Sequence, residues 1–262
     1  MIEDSIVERP LIAPLAPMAV LRAEYENGNP NFLKQIDWLV ERGYQGIRRT
    51  RGDGDCFYRS LAFAYVERIM NAPEPELSVM RAISMLETTP AKLSSVGFQE
   101  LVFEDFYDMF RSLIMRIIQP EPGVSKLNAR GLFDAFNDPE TSNSIVMYLR
   151  LLTSAQIRLD PENYAPFLFH PELGEPMETV AFCENFVEAV GKEADHPQIT
   201  ALSRALNVSI SVAYLDGHDR NSSDPVNFVP FDTGDDSEEP IRLLYRPGHY
   251  DILDSRSEEP LT

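Results

Sequence analysis

Two cysteines occur in this chain of 262 residues, and their surroundings differ sharply. Cys56 directly follows a polar turn at residues 52–55, with the sequence GDGD, and begins an apolar segment of helical character. At the first turn of a helix, unpaired backbone N–H groups and the positive end of the dipole stabilise a thiolate. Cys183 lies inside a predicted helix, where a cysteine is typically a small buried hydrophobe. Cys56 is therefore the candidate nucleophile.

A cysteine nucleophile needs an imidazole as its base, and a further group to orient that imidazole. Among the four histidines, His249 stands out because it begins a predicted strand directly after a proline–glycine turn. Asp251 lies two residues further on, so both side chains leave the same face of that strand. The carboxylate can then hold one ring nitrogen while the other faces the thiolate. Taken alone, a His-x-Asp sequence is typical of a satisfied strand histidine, and only its pairing with Cys56 favours catalysis.

The turn before Cys56 suits an acyl transfer, because backbone N–H groups there can stabilise the negative carbonyl oxygen that develops. Gly52 and Gly54 allow the loop to fold so that the amides of residues 53–56 converge. Asp53 either braces this loop, polarises the site or is an ordinary turn aspartate. Asp55 is expected to cap the helix. A phosphate-binding loop is excluded, since the glycine-lysine-serine/threonine pattern is absent.

Composition limits the partners of this protein. The formal net charge of −19 argues against nucleic acid and anionic membrane surfaces as ligands. It favours a neutral or basic protein partner, although an acidic chain is equally often just soluble. Two cysteines, an acidic proline-broken N-terminus and no apolar run of about 18 residues predict a cytoplasmic protein, with the nucleus as a second location. The acidic run at 232–239 lacks the ligand spacing of a calcium loop, so we expect no metal.

The hydrophobic pattern predicts an α+β domain, with many helices around a small, mostly antiparallel sheet. Residues 1–18 are expected to form a flexible arm, 19–254 the catalytic domain and 255–262 a polar tail. After the Cys56 helix, helices are predicted at 77–86, 103–118, 127–136, 141–152, 178–190 and 199–206. Strands are predicted at 207–214, 241–245 and 249–253, so the sheet is expected mainly from the last third of the chain.

Several long motifs resemble one enzyme family. The segment GDGDCFYRS at 52–60 resembles the catalytic cysteine motif of the ovarian-tumour (OTU) deubiquitinases. The segment LLYRPGHYDIL at 243–253 resembles the histidine motif of the otubain branch, and the segments at 148–154 and 195–216 fit that branch too. The resemblance runs from about residue 21 to residue 253. It implies a papain-like cysteine protease fold and the hydrolysis of isopeptide bonds between the ubiquitin C-terminus and lysine, without metal or organic cofactor.

The resemblance also implies roles for single residues. Cys56 matches the nucleophile, His249 the general base, Asp251 the orienting residue, and Asp53 the aspartate usually counted with the catalytic set. Gly54 and Asp55 match the backbone loop that receives the oxyanion. Relatives usually carry asparagine where this chain has Asp55. A backbone role tolerates that change, but an extra carboxylate beside a thiolate would raise the cysteine pKa and slow its attack.

The resemblance further implies ubiquitin and polyubiquitin chains as partners, with ubiquitin-conjugating enzymes as additional ones. The basic ubiquitin tail, which ends in two glycines, suits an acidic enzyme with a narrow channel beside the cysteine. By position alone, His196, Tyr214 and Phe228 are expected to help bind the distal ubiquitin. Otubains include enzymes directed at lysine-48 linkages, but not uniformly.

Two alternatives to isopeptidase activity stay open at this stage. Some relatives of otubains bind ubiquitin-conjugating enzymes and block them without cleavage, although the short proline-rich N-terminal segment here argues against that role. A protease for a ubiquitin-like modifier, or another cysteine acyltransferase, would use the same residues.

Overall fold

A six-stranded sheet forms the centre of the protein. The structure is a computed structural model, and it describes residues 9–120, 122–219, 224–232 and 239–258. The strands are β1 (Ile12–Pro17), β2 (Gly46–Thr50), β3 (Ile210–Tyr214), β4 (Asn227–Phe231), β5 (Ile241–Arg246) and β6 (His249–Asp254). Their order across the sheet is β1-β2-β6-β5-β3-β4. Neighbouring strands are antiparallel except β3 and β5, which run parallel.

Helices make up most of the rest of the described chain. They are α1 (Met18–Glu24), α2 (Pro30–Glu41), α3 (Cys56–Met70), α4 (Pro75–Leu86), α5 (Thr89–Ser95), α6 (Glu100–Met115), α7 (Ala129–Asn137), α8 (Pro139–Leu159), α9 (Pro161–Tyr164), α10 (Thr179–Phe182) and α11 (His196–Leu206). A 3₁₀ turn follows α9 at Ala165–Phe167, and a π-helical segment follows α10 at Cys183–Val187.

The expected α+β fold, with a mostly antiparallel sheet among many helices, is confirmed. The flexible arm expected over 1–18 is wrong for residues 12–17, because they form β1. Ile12 and Leu15 of this strand are buried, and β1 pairs with β2 at the edge of the sheet. An edge strand tolerates Pro14 and Pro17, since one side of it needs no N–H donors. Residues 1–8 of the expected arm, and 259–262 of the expected tail, lie outside the described residues.

Helix α3 is the central buried element. Thirteen of its fifteen residues are buried, and these include the charged Arg59 and Glu67 as well as apolar side chains. A large core joins α3 to α6, α7, α8 and α11 on one face of the sheet. A smaller core packs α1 and α2 on the other face. Cys56, the first residue of α3, is part of the large core and lies beside strand β6 of the sheet.

Candidate active site

The position of Cys56 follows from the elements on either side of it. Strand β2 ends at Thr50, the chain turns through residues 51–55, and α3 begins at Cys56 itself. The cysteine is only 2% exposed. The backbone N–H of Tyr250, from β6, donates to Cys56 Sγ over 3.4 Å. The helix start and this N–H thus both favour negative charge on the sulfur.

His249 and Asp251 reach the cysteine from the β5–β6 hairpin. In this hairpin Arg246 pairs with His249, and Gly248 adopts a φ of 73° that closes the tight turn. The Nε2 atom of His249 lies 2.8 Å from Asp251 Oδ1. The Cys56 side chain lies close enough to His249 to help raise the pKa of the imidazole. The structure therefore brings together the predicted nucleophile, base and orienting residue, in the free protein.

Asp251 is fully buried, yet its environment favours the ionised form. Its Oδ1 accepts the N–H of Thr50 at 3.1 Å as well as the bond from His249. Its Oδ2 accepts Nε and Nη2 of Arg246 at 3.1 and 2.7 Å. Burial alone would raise the pKa of Asp251, but the bonds and charges of His249 and Arg246 outweigh it, so the pKa is lowered.

His249 is poised to carry a proton. Burial lowers the pKa of the imidazole, but hydrogen bonds and charges from Asp251 and Cys56 outweigh burial and raise the pKa to about 9. At neutral pH the imidazolium is therefore the favoured form, and it is the natural partner of a thiolate.

Arg246 is a site residue that the sequence reasoning missed. Besides its two bonds to Asp251, its Nη1 lies 3.6 Å from Glu24 Oε2 of α1. The hairpin sequence could have indicated the role of Arg246, since a two-residue turn places residue 246 opposite residue 249. An arginine there lies one diagonal step from Asp251 on the neighbouring strand.

The side chain of Asp53 hydrogen-bonds to its own loop and to α3. Its Oδ1 accepts the N–H of Asp55 at 3.0 Å, and both its oxygens pair with Nη1 of Arg59 at 3.0 and 2.9 Å. Of the interpretations left open by the sequence, this geometry favours the one in which Asp53 braces the loop.

The expectation that Asp55 caps α3 is wrong. Asp55 occupies the N-cap position, but its side chain makes no capping hydrogen bond. Its Oδ1 instead accepts Nε of Arg150 at 2.9 Å and the N–H of Gly191 at 3.1 Å. A buried arginine therefore balances the carboxylate that the sequence suggested would stand unopposed beside Cys56.

The loop leaves two backbone donors for an oxyanion. The N–H of Asp55 already donates to Asp53 Oδ1, so the oxyanion role expected for the Asp55 loop position stays a prediction. Within the described part of the chain, the N–H groups of Gly54 and Cys56 donate to no hydrogen-bond acceptor. These two N–H groups flank the Gly54–Asp55 peptide and are the candidate donors.

The three residues expected at a distal ubiquitin site do not all face the same side of the sheet. The His196 ring packs 4.8 Å from that of Phe231. Tyr214 packs 4.9 Å from Tyr245, beside the β6 strand that carries His249. Phe228 pairs with Ala213 across β3 and β4, so it faces the other side of the sheet from Tyr214. Tyr214 is linked to the catalytic hairpin through Tyr245, and the three roles stay a prediction.

Cys183 is fully buried in the π-helical segment, and burial raises the pKa of its thiol, as expected for a structural cysteine. Within the described ranges, no group of three or more His, Cys, Asp or Glu side chains is placed to hold a metal ion. Over the same residues, no helix is long and apolar enough to cross a bilayer.

Comparison with known sequences gives a consistent result over nearly the whole chain. The family model described as Peptidase C65 Otubain matches residues 4–255. The "OVARIAN TUMOR DOMAIN-containing deubiquitinating enzyme 1" of Arabidopsis thaliana is 37% identical over 264 residues, covering 96% of this chain and 83% of that protein. The "Ubiquitin thioesterase OTUB1" of Homo sapiens is 36% identical over 251 residues, covering 96% and 85%.

Comparison with solved structures agrees. "The structure of a ceOTUB1 ubiquitin aldehyde UBC13~Ub complex" contains a chain that is 32% identical, with a TM-score of 0.83 and 96% of each chain covered. "The structure of h/ceOTUB1-ubiquitin aldehyde-UBCH5B~Ub" gives 31% identity and a TM-score of 0.82. The family model, the relatives and the folds agree over this length, so this chain belongs to the otubain family of peptidases.

Proposed function

We propose that the protein is a ubiquitin-specific cysteine isopeptidase that cleaves polyubiquitin. The observation that carries this proposal is the aligned row of Cys56, His249 and Asp251 within an otubain fold. Curated relatives are named ubiquitin thioesterases or a deubiquitinating enzyme, and structural neighbours are complexes with ubiquitin aldehyde. These names support ubiquitin as the acyl donor.

The proposed reaction has two halves. In the first, Cys56 Sγ attacks the carbonyl carbon of the isopeptide bond, and the N–H groups of Gly54 and Cys56 receive the charge on the oxygen. His249 gives its proton to the lysine amine, the C–N bond breaks, and a thioester remains.

In the second half, water attacks the thioester while neutral His249 takes a proton from it. The C–S bond breaks, the ubiquitin carboxyl group loses its proton to solvent, and the thiolate–imidazolium pair is restored. Asp251 holds His249 in the required tautomer throughout.

The glycine-rich surroundings of the cysteine support a substrate that ends in two glycines. A Cβ atom placed on Gly54 would lie 2.1 Å from the carbonyl oxygen of Gly191, so the 52–55 loop and the 187–193 segment touch at backbone level. Gly248 closes the hairpin turn beside His249, and a Cβ there would lie 3.3 Å from Glu193. This close packing leaves little room for side chains near the cysteine, which supports a substrate that ends in glycines.

A second proposal is that the protein binds ubiquitin-conjugating enzymes. The titles of the matching structures name UBC13~Ub and UBCH5B~Ub together with relatives of this chain. Because the catalytic residues are aligned, we propose this binding in addition to cleavage rather than instead of it.

The direct test is incubation of the protein with a panel of defined di-ubiquitins, alongside the Cys56→Ala variant. Wild type is expected to release mono-ubiquitin from at least one linkage, and the panel then reads the linkage preference. Cys56→Ala is expected to release none while it still binds the same chains. If wild type neither cleaves nor binds any di-ubiquitin, the proposed function is wrong.

A further inference from the structure

Arg150 of α8 is fully buried. It hydrogen-bonds to the loop that precedes Cys56, although it is not one of the three residues Cys56, His249 and Asp251. Its Nε donates to Asp55 Oδ1 at 2.9 Å, and its Nη2 donates to the carbonyl of Gly54 at 3.1 Å. The same guanidinium donates to the carbonyls of Val187 and Lys192 at 2.9 and 2.7 Å. One side chain thus satisfies acceptors on two separate segments.

These bonds fix the Gly54–Asp55 peptide at both ends. Arg150 holds its carbonyl oxygen, and Asp53 accepts its N–H at 3.0 Å. A peptide unit is planar, so a plane held at both ends cannot rotate without breaking one of the two bonds. The N–H groups of Gly54 and Cys56 belong to the two neighbouring peptides, so a fixed Gly54–Asp55 peptide limits how far they can turn.

Arg150 also hydrogen-bonds to the 187–193 segment, which we call the wall opposite the 52–55 loop. Its bonds to Val187 and Lys192 bracket Gly191, whose own N–H donates to Asp55 Oδ1 at 3.1 Å. The two segments are in backbone contact here, because a Cβ on Gly54 would overlap the Gly191 carbonyl. The separation of the two walls beside Cys56 therefore depends on Arg150 and Asp55.

We propose that Arg150 is a positioning residue for the oxyanion donors, and that Asp55 is its buried counter-charge. The proposal deepens the isopeptidase function and rests on it. A residue that acts through the Gly54 and Cys56 amides stabilises the transition state and not the bound ubiquitin, so it affects kcat rather than KM. Loss of one oxyanion donor typically lowers kcat by about 100- to 1,000-fold, and misdirecting one lowers it less.

The first test is Arg150→Lys, which keeps the charge but loses the planar fork that reaches several acceptors at once. On a fluorogenic ubiquitin C-terminal amide, kcat per folded enzyme is expected to fall by about tenfold or more, with KM within about twofold. Asp55→Ala is expected to lower kcat similarly, and Asp55→Asn, which keeps an oxygen acceptor for Arg150, to restore most of it.

The matched control is Arg48→Lys. Arg48 is also buried, at 1% exposure. Its partners seen in the described part of the chain are the carbonyl of Ala13, Glu67 of α3 at 3.6 Å and the Phe63 ring, which belong to neither wall of the site. It is expected to lose stability to a similar degree, with kcat per folded enzyme within about twofold of wild type.

A second readout does not depend on activity. Hydrogen–deuterium exchange of the free protein is expected to quicken in residues 53–56 and 187–192 for Arg150→Lys, but not for Arg48→Lys. Unchanged kcat per folded enzyme, or a change in KM alone, overturns the proposal, and so does unchanged exchange. If wild type cleaves no ubiquitin substrate, the proposed function fails, and the exchange pattern alone decides whether Arg150 positions the loop.

Discussion

At the scale of single residues, three carboxylates in the site of this acidic protein are each paired with an arginine. The three pairs are Asp53–Arg59, Asp55–Arg150 and Asp251–Arg246. Each arginine is buried or nearly so, which strengthens the pairing and removes the carboxylate as a free negative charge near the thiolate. These three pairs therefore add nothing to the net charge of −19.

The first residue-scale prediction concerns Asp251→Asn. Hydrogen bonding to Asp251 is the largest of the effects that raise the pKa of His249 to about 9. Asp251→Asn should lower that pKa. The imidazolium then loses its proton at a lower pH, and the alkaline limb of the pH profile of kcat/KM shifts to lower pH. We expect kcat to fall by about 100-fold or more, as when a triad aspartate is replaced.

The measurement is the pH dependence of kcat/KM between about pH 5 and 10, where His and Cys titrate. Asp254→Asn is the matched control, because Asp254 lies on the same strand but pairs with Arg256. An alkaline limb that stays near pH 9 in Asp251→Asn would remove Asp251 from its assigned role.

Sequence reasoning found the reacting residues but not their counter-charges. Cys56, His249 and Asp251 were predictable because a helix start, a tight turn and a two-residue spacing are local features. Arg150 lies 95 residues from Asp55, so no local pattern joins them. The capping role expected for Asp55 failed for the same reason, since a buried arginine competes with the local N–H groups for that carboxylate.

At the scale of elements, the β5–β6 hairpin was predictable and the first two strands were not. Pro10, Pro14 and Pro17, in or just before β1, obscure its strand pattern. Prolines are tolerated in this strand because it lies at the edge of the sheet. Strand β2 carries Arg48 at a buried position, where it approaches Glu67 and lies 4.5 Å from the centre of the Phe63 ring. A strand whose buried residue is an arginine does not show the alternation that predicts strands.

The element-scale prediction concerns the contact between the 52–55 loop and the 187–193 segment. Gly54→Ala places a Cβ 2.1 Å from the Gly191 carbonyl, on a residue with a φ of 81°. Backbone must move to relieve that overlap, so we expect kcat/KM to fall by about 100-fold.

Gly97→Ala is the control, because Gly97 has a φ of 99° but no atom within 4 Å of an added Cβ. Both variants carry the cost of a left-handed alanine, about 1–2 kcal/mol, and only Gly54→Ala adds the clash. Melting temperatures and kcat/KM of the pair separate the two effects. Equal activity in both variants would show that the two walls do not need this contact.

At the scale of the whole molecule, the site is assembled from distant parts of the chain. The N–H of Tyr250 and the sulfur of Cys56 are 194 residues apart in sequence. Helix α3 begins with the cysteine, which is part of the large core, and the sheet brings the histidine strand beside it. The fold class followed from long motifs and from the hydrophobic pattern. The order of the six strands did not, because it depends on contacts between the two ends of the chain.

The central claim is that Cys56 alone is the nucleophile toward the ubiquitin C-terminus. The most direct test is reaction with ubiquitin carrying a C-terminal alkyne, to which a thiolate adds to give a vinyl thioether, followed by intact mass and peptide mapping. We predict one ubiquitin per chain, attached at Cys56, in wild type and in Cys183→Ser, and no adduct in Cys56→Ala. An adduct at Cys183, or no adduct in wild type, would contradict the claim.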